Sequence, residues 1–186
     1  SLAGIPAASV PAGLVDGIAD EGGGQEEGKR SGTQNVPGIA GFGEAAEISE
    51  KTRAKEMARI IEMRKYLMDG LGTELKDIII NSPEEAGEKA GMCCGSVLNI
   101  TFMGTRGEVL LHTLEQDGIY VSTGSACSSN KKGQSHVLKA MGLKDKEIEG
   151  TLRFSFGRMN SMEEMDIVID KVSGAVKRFR KLGSFR

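Results

Sequence analysis

The sequence predicts an α/β fold, a two-layer sandwich in which helices cover one small sheet from about residue 41 onward. Two observations lead to this prediction. Segments whose apolar residues recur at helical spacing alternate with short segments of strand-like composition. Glycines stand at most of the transitions between them, where helix ends and turns favour glycine. The 186 residues are enough to build one hydrophobic core.

The predicted helices are residues 41–71, 106–116, 134–141 and a last helix that begins after Ser161. Gly70 and Gly72 are expected to end the first of them. Ser161 and Glu164 form a capping-box motif that opens the last helix. The apolar stripe expected to face the core on this last helix consists of Met165, Val168, Ile169, Val172, Val176 and Phe179.

The predicted strands are residues 77–81, 96–102, 119–122 and 151–156. In the second strand, apolar Leu98, Ile100 and Phe102 alternate with Asn99 and Thr101. Successive side chains of a strand point to opposite faces of the sheet, so this alternation predicts a half-buried strand with its apolar face inward.

The first 40 residues differ in composition from the rest of the chain. Residues 1–24 are rich in glycine, alanine and proline and lack any basic residue. Residues 22–33 then form a segment dense in glycine and polar groups. We therefore expect two parts, a loop-rich connector at 1–40 and an α/β domain at 41–186.

Charge and hydropathy exclude several classes of function. The chain has 24 Lys and Arg against 26 Asp and Glu, a formal charge of −2, and lacks the basic field of most nucleic-acid-binding proteins. No uninterrupted apolar run approaches the roughly 20 residues that a membrane-spanning helix needs. The sequence opens without a signal-peptide pattern. We expect a cytoplasmic protein that binds neither nucleic acid nor membrane.

The chain has three cysteines, Cys93, Cys94 and Cys127. Adjacent cysteines are poorly placed to form a disulfide with each other, and no Cys/His pair completes a zinc-binding pattern. We therefore expect neither a disulfide framework nor a metal site. Cys93 and Cys94 match no functional motif and are interpreted as structural residues.

Cys127 lies in the segment Thr-Gly-Ser-Ala-Cys-Ser-Ser at residues 123–129, directly after a predicted strand. A cysteine among glycine and small hydroxyl residues in a loop can present a reactive thiolate to a partner. From the residues alone, the alternative interpretation is that Cys127 is not reactive and its small side chain fills a turn. His136 after this loop is interpreted as a packing or capping residue, and His112 as a core or surface residue of its helix.

Two further motifs contain groups that bind anions. Arg30-Ser31-Gly32-Thr33 stands ahead of the first helix, where backbone N–H groups, hydroxyls and a guanidinium suit a phosphate. The alternative interpretation is that residues 30–33 form an ordinary turn that binds no phosphate. Arg153 lies inside the strand Leu-Arg-Phe-Ser-Phe and must either meet an anion in a cleft or extend to solvent. A bidentate contact to a carboxylate is its functional interpretation.

Together and in this order, the three motifs resemble the C-terminal part of cysteine desulfurases of the NifS/IscS type. These are pyridoxal-phosphate enzymes of fold type I in the class V aminotransferase family. Residues 22–36 are similar to a stretch near the end of the family's large domain. Residues 122–129, with His136 after them, resemble its sulfur-accepting loop, and residues 151–158 its substrate-carboxylate strand. The resemblance implies that residues 1–40 are a linker and large-domain remnant, and 41–186 the small C-terminal domain.

The resemblance also implies roles for single residues. Cys127 would be the nucleophile that takes the sulfur of L-cysteine as a persulfide while alanine is released. Arg153 would pair with the α-carboxylate of the substrate. Thr33 would bind the cofactor phosphate across the interface of a homodimer, with Arg30 beside it. A sulfur acceptor, such as a scaffold protein for iron–sulfur cluster assembly, is the implied protein partner.

One departure from the family affects the expected activity. The lysine that binds the cofactor covalently sits in a Ser-x-His-Lys motif, which this sequence lacks. We therefore expect the chain to correspond to about the last two-fifths of the enzyme and to be inactive alone. Two alternatives remain open: a non-catalytic module that carries sulfur on Cys127 or binds partner proteins, and a homologue similar to selenocysteine lyases.

Overall fold

The computed structural model describes residues 23, 32–83, 94–123 and 135–183. The chain divides into two units, Ser1–Ser49 and Glu50–Arg186, and all of the strands described lie in the second. The elements are α1 (Val36–Glu74), β1 (Ile78–Ile80), β2 (Val97–Phe102), α2 (Gly107–Gln116), α3 (His136–Ala140), α4 (Asp145–Glu149), β3 (Thr151–Ser155) and α5 (Met162–Gly183).

The second unit has the predicted α/β architecture. The three strands within the described residues form an antiparallel sheet in the order β1-β2-β3, with Ile78 opposite Phe102 and Asn99 opposite Arg153. The apolar face of β2 lies inward, as predicted, since Leu98, Ile100 and Phe102 are fully buried. The helix residues in the same core include Met63, Leu67 and Leu71 of α1, Leu110 and Leu114 of α2, and Met165, Val172 and Val176 of α5.

The start of α5 confirms the predicted capping box. The backbone N–H of Ser161 donates to the Glu164 carboxylate at 3.1 Å, and the Glu164 N–H donates to the Ser161 hydroxyl at 3.4 Å. These bonds satisfy N–H groups that a helix start otherwise leaves without partners. The predicted stripe of α5 is buried or partly buried along its whole length.

The prediction that Gly70 and Gly72 end the first helix is wrong. The helix α1 continues through both glycines to Glu74. A Cβ atom at Gly70 would lie 2.3 Å from Cδ1 of Ile169 on α5. The Ile169 side chain thus lies directly over Gly70, and tertiary packing outweighs the weak helix propensity of glycine.

Two further predictions need correction. Only Ser122 of the predicted strand 119–122 pairs with the sheet, through a single bridge to Arg153. Thr101, which the alternation assigned to the polar face of a half-buried strand, is fully buried. Its hydroxyl lies 2.9 Å from that of Thr151 and accepts a hydrogen bond from the Asn81 side chain at 2.9 Å. A satisfied polar side chain can be buried at small cost, which the alternation does not reveal.

Among the described helices, none combines the length with the apolar composition that a membrane-spanning helix requires.

Candidate functional site

Arg153 lies on the outward face of β3. Its neighbours Leu152 and Phe154 are buried, whereas Arg153 itself is exposed. Its side chain extends to solvent. An exposed guanidinium on a rigid strand is available to bind a carboxylate from outside the chain.

The backbone of Arg153 also fixes the start of the predicted cysteine loop. Its N–H donates to the carbonyl of Ser122 at 2.7 Å, and its carbonyl accepts from the Ser122 N–H at 3.1 Å. Ser122 directly precedes the segment 123–129 that contains Cys127. Cys127 itself lies outside the described residues, so the structure places only the entrance of this segment, beside the arginine.

The strand that carries Arg153 is anchored at both ends. At its start, the Thr151 hydroxyl donates to the carbonyl of Glu147 at 2.7 Å. After its end, the guanidinium of Arg59 on α1 donates to the carbonyl of Arg158 at 2.7 Å and to that of Asn160. Sequence reasoning missed Arg59, because a helical arginine normally indicates a solvent-exposed position.

Thr33 belongs to the first unit and is exposed, three residues before α1 begins. The Asn35 side chain accepts a hydrogen bond from the Gly38 N–H at 3.1 Å and so caps the first turn of the helix. A helix start carries a partial positive charge that favours anions. Arg30, the other residue predicted to contact phosphate, lies outside the described residues.

Cys94, which the sequence analysis interprets as a structural residue, is exposed. Its Sγ lies 3.1 Å from the hydroxyl of Ser96. The side-chain hydrogen bond from Ser96, together with a backbone one from the same residue, lowers the pKa of the Cys94 thiol, because both stabilise the thiolate. Cys93 lies outside the described residues.

Alkylation should detect this thiolate. We expect iodoacetamide to modify Cys94 faster near neutral pH in the natural chain than in Ser96→Ala, because loss of the hydroxyl raises the pKa of the thiol. The rate should rise with pH in both, with the midpoint displaced upward in the variant. Mass spectrometry of the Cys94 peptide measures the alkylation rate at each pH. Identical pH profiles for the natural chain and Ser96→Ala would show that Ser96 does not lower the pKa of the thiol.

The two histidines lie on the surface. His112 is exposed on α2, with Nδ1 3.0 Å from the carboxylate of Glu115. His136 is the exposed first residue of α3, a helix capped by the Ser135 hydroxyl, which accepts from the Leu138 N–H at 3.4 Å. The capping residue at this position is therefore Ser135 and not His136.

Comparison with known proteins places these features in a family. The model of the aminotransferase class-V family matches residues 20–168. Cysteine desulfurase IscS 1 of Archaeoglobus fulgidus is 38% identical over 161 residues, which are 87% of this chain and 40% of that protein. Cysteine desulfurase IscS of Mannheimia succiniciproducens is 42% identical over 161 residues, or 38% of its length. The chain thus spans about two-fifths of the length of these relatives.

Solved structures give the same result. A NifS-like protein superposes with a TM-score of 0.67 at 34% identity, covering 84% of this chain and 38% of that one. A NifS-like protein from Rickettsia africae superposes with a TM-score of 0.66 at 27% identity, covering 84% and 39%. The family model and these relatives show that the chain belongs to the aminotransferase class-V family, and its relatives include proteins named cysteine desulfurase IscS and NifS-like protein.

Proposed function

We propose that this chain is part of a cysteine desulfurase that converts L-cysteine to L-alanine and passes the sulfur to an acceptor protein. The similarity to proteins named cysteine desulfurase, over 87% of the chain, supports this most strongly. The exposed arginine of β3, held beside the entrance of the Cys127 segment, supports it from the geometry. The protein acts in the cytoplasm as a homodimer, with an iron–sulfur scaffold protein as its acceptor.

Cys127 is the sulfur-accepting nucleophile in this proposal. The Cys127 thiolate forms an S–S bond with the sulfur of L-cysteine as the C–S bond breaks. The β-carbon keeps the electron pair of that bond, gains a proton and becomes the methyl group of L-alanine. A thiolate is the side-chain form able to attack sulfur, and a glycine- and serine-rich segment leaves it accessible. A thiolate of the acceptor then attacks the outer sulfur of this persulfide, and Cys127 leaves as a thiolate.

The residues of the first unit fit the phosphate of pyridoxal phosphate. Thr33 offers an exposed hydroxyl close to the start of α1, where partial positive charge favours an anion. We assign Thr33 to this phosphate across the dimer interface, with Arg30 as its neighbour. When bound, the cofactor supplies the electron sink that permits bond cleavage in the amino acid. Since the chain lacks the Ser-x-His-Lys motif, we propose that it neither holds the cofactor tightly nor releases alanine alone.

A hybrid protein tests the proposal. In it, the 161-residue matching segment of this chain replaces its counterpart in IscS 1 of Archaeoglobus fulgidus. We expect the hybrid with pyridoxal phosphate to release alanine from L-cysteine, and this chain alone to release none. A folded hybrid that binds the cofactor without releasing alanine would reject the desulfurase assignment and favour a sulfur-carrier or partner-binding module. Release from selenocysteine alone would favour a selenocysteine lyase.

In the same hybrid, Arg153→Ala tests the substrate contact. Loss of a charge-assisted, bidentate pair should cost on the order of 2–4 kcal/mol of substrate binding and appear as a higher KM. Arg153→Lys keeps the positive charge but lacks the planar guanidinium. Its KM should lie between those of the unsubstituted hybrid and Arg153→Ala. Arg106→Ala, which removes an exposed arginine paired with Glu149, is the matched control and should leave KM unchanged. An unchanged KM in Arg153→Ala would move the carboxylate contact elsewhere.

A further inference from the structure

Asn99 and Arg153 lie side by side on one face of the sheet, as register partners on β2 and β3. Arg153 uses its backbone N–H and carbonyl on Ser122. The Asn99 N–H donates to the Ser82 hydroxyl at 2.9 Å, and its carbonyl accepts from the Asn81 N–H at 2.9 Å. The backbone groups of the two residues thus point away from each other, as in a non-hydrogen-bonded pair. Side chains approach most closely in such pairs, with Cβ atoms roughly 5 Å apart.

A series of hydrogen bonds on this face determines how a neighbouring amide, that of Asn81, is oriented. The Thr151 hydroxyl donates to the carbonyl of Glu147 at 2.7 Å, so its single proton is used. In the 2.9 Å contact between the hydroxyls of Thr101 and Thr151, Thr101 must therefore be the donor. The Thr101 oxygen then accepts from the Asn81 side chain, 2.9 Å away, so Asn81 presents its NH₂ group.

The same NH₂ group orients the amide of Asn99. It lies 2.8 Å from the Asn99 side chain, and a donor at this distance requires an acceptor, so Asn99 presents Oδ1 to Asn81. Asn81 follows β1, whereas Arg153 lies on β3, on the other side of β2. The Nδ2 atom of Asn99 is therefore at the end of the amide farther from Asn81, on the side of Arg153.

Both side chains retain donors that the described part of the chain does not use. No described acceptor is hydrogen-bonded to Asn99 Nδ2, and no described carboxylate pairs with the guanidinium of Arg153. Asn99 is half-buried and Arg153 is exposed. An amide NH₂ group beside a guanidinium offers donors to both oxygens of one carboxylate, with the charged partner contributing the stronger bond.

We propose that Asn99 Nδ2 and the Arg153 guanidinium together bind one carboxylate group. That this carboxylate is the α-carboxylate of L-cysteine rests on the proposed function. The hydrogen bonds that run from Thr151 through Thr101 to Asn81 hold the Asn99 amide in its binding orientation. A carboxylate accepts through both oxygens, whereas a carboxamide has an NH₂ group in place of one of them, so the site selects the carboxylate.

NMR of the full chain with acetate tests the site without any reaction. At roughly 50 mM and constant ionic strength, acetate should shift the side-chain NH₂ resonances of Asn99 and the Nε–H resonance of Arg153, and acetamide should shift neither. Arg153→Ala should abolish the acetate shift at Asn99, whereas Arg106→Ala should preserve it. The proposal is overturned if acetate leaves the Asn99 resonances unchanged, or if acetamide shifts them equally.

Asn99→Asp in the hybrid protein separates substrate binding from a structural role. The substitution keeps the size of the side chain and an acceptor for Asn81, but it replaces the donor by a negatively charged oxygen beside Arg153. We expect KM for L-cysteine to rise at least about tenfold, and to rise less in Asn99→Ala, which adds no charge. A purely structural role of Asn99 would give the opposite order, because only alanine removes the bond to Asn81.

Gln116→Glu is the control for added charge. Gln116 is the exposed last residue of α2, a helix that packs on the other face of the sheet through Leu110 and Leu114, and its substitution should leave KM unchanged. An unchanged KM in Asn99→Asp would overturn the proposal. A hybrid without activity would count against the desulfurase assignment alone, because the acetate titration of the full chain decides the carboxylate site independently.

Discussion

Replacement of Arg64 by alanine should destabilise the second unit by about 3 kcal/mol, a large fraction of the stability of a domain of this size. Arg64 lies on α1 with 1% of its surface exposed. Its Nε donates to the carbonyl of Val97 at 3.2 Å, and its second amino group donates to the carbonyl of Pro83. The substitution leaves both carbonyls without these donors and opens a cavity in the core.

The measurement is the free energy of unfolding from urea titration, with the slope of the transition compared between variants. Arg53→Ala is the matched control, since Arg53 lies on the same helix with a side chain 71% exposed and only a long 3.9 Å contact to Glu50. It should change stability by less than about 0.5 kcal/mol. Equal effects of the two substitutions would show that the buried contacts of Arg64 contribute little.

Gly150→Ala should cost about 3 kcal/mol for a different reason, overcrowding. A Cβ atom at this position would lie 2.5 Å from the carbonyl oxygen of Phe102 and 3.2 Å from that of Thr105. The Gly150 carbonyl also accepts from the Phe102 N–H at 2.9 Å, so backbone rather than a flexible side chain would have to move. Because Gly150 directly precedes β3, this movement would displace the strand that carries Arg153.

Thermal or urea unfolding measures this effect, and Gly157→Ala supplies the control. An added Cβ at Gly157, just after β3, would meet nothing within 4 Å. Its substitution should therefore be nearly neutral. A Gly150→Ala protein as stable as Gly157→Ala would show that the backbone around Phe102 yields at little cost.

Local sequence patterns predicted those parts of the fold that local interactions determine. The stripe and capping box of α5 follow from residue spacing within one helix, and both are present. The strand 119–122 was mispredicted because strand pairing depends on a neighbouring strand that is distant in sequence. Of these residues, only Ser122 forms a bridge, to Arg153. The continuation of α1 through Gly70 was missed because it depends on the contact with Ile169.

For the candidate site, the sequence indicated the types of functional residue but not the hydrogen bonds that hold them in place. Arg153 was identified from its place in an alternating strand, and the structure adds its exposure and its backbone bond to Ser122. Arg59 and Arg64 went unnoticed, since polar positions on a helix indicate solvent until the carbonyls they bind are known. The lowered pKa of Cys94 likewise depends on Ser96 and has no signature in the sequence.

Mass spectrometry of the hybrid protein tests whether Cys127 takes sulfur from L-cysteine. After incubation with L-cysteine and without reductant, we expect one additional sulfur atom on the Cys127 peptide. Cys127→Ser should still bind pyridoxal phosphate but carry no persulfide and release almost no alanine. Cys94→Ser should behave as the unsubstituted hybrid does. Persulfide that persists in Cys127→Ser on Cys93 or Cys94 would show that Cys127 is not the sulfur-accepting nucleophile.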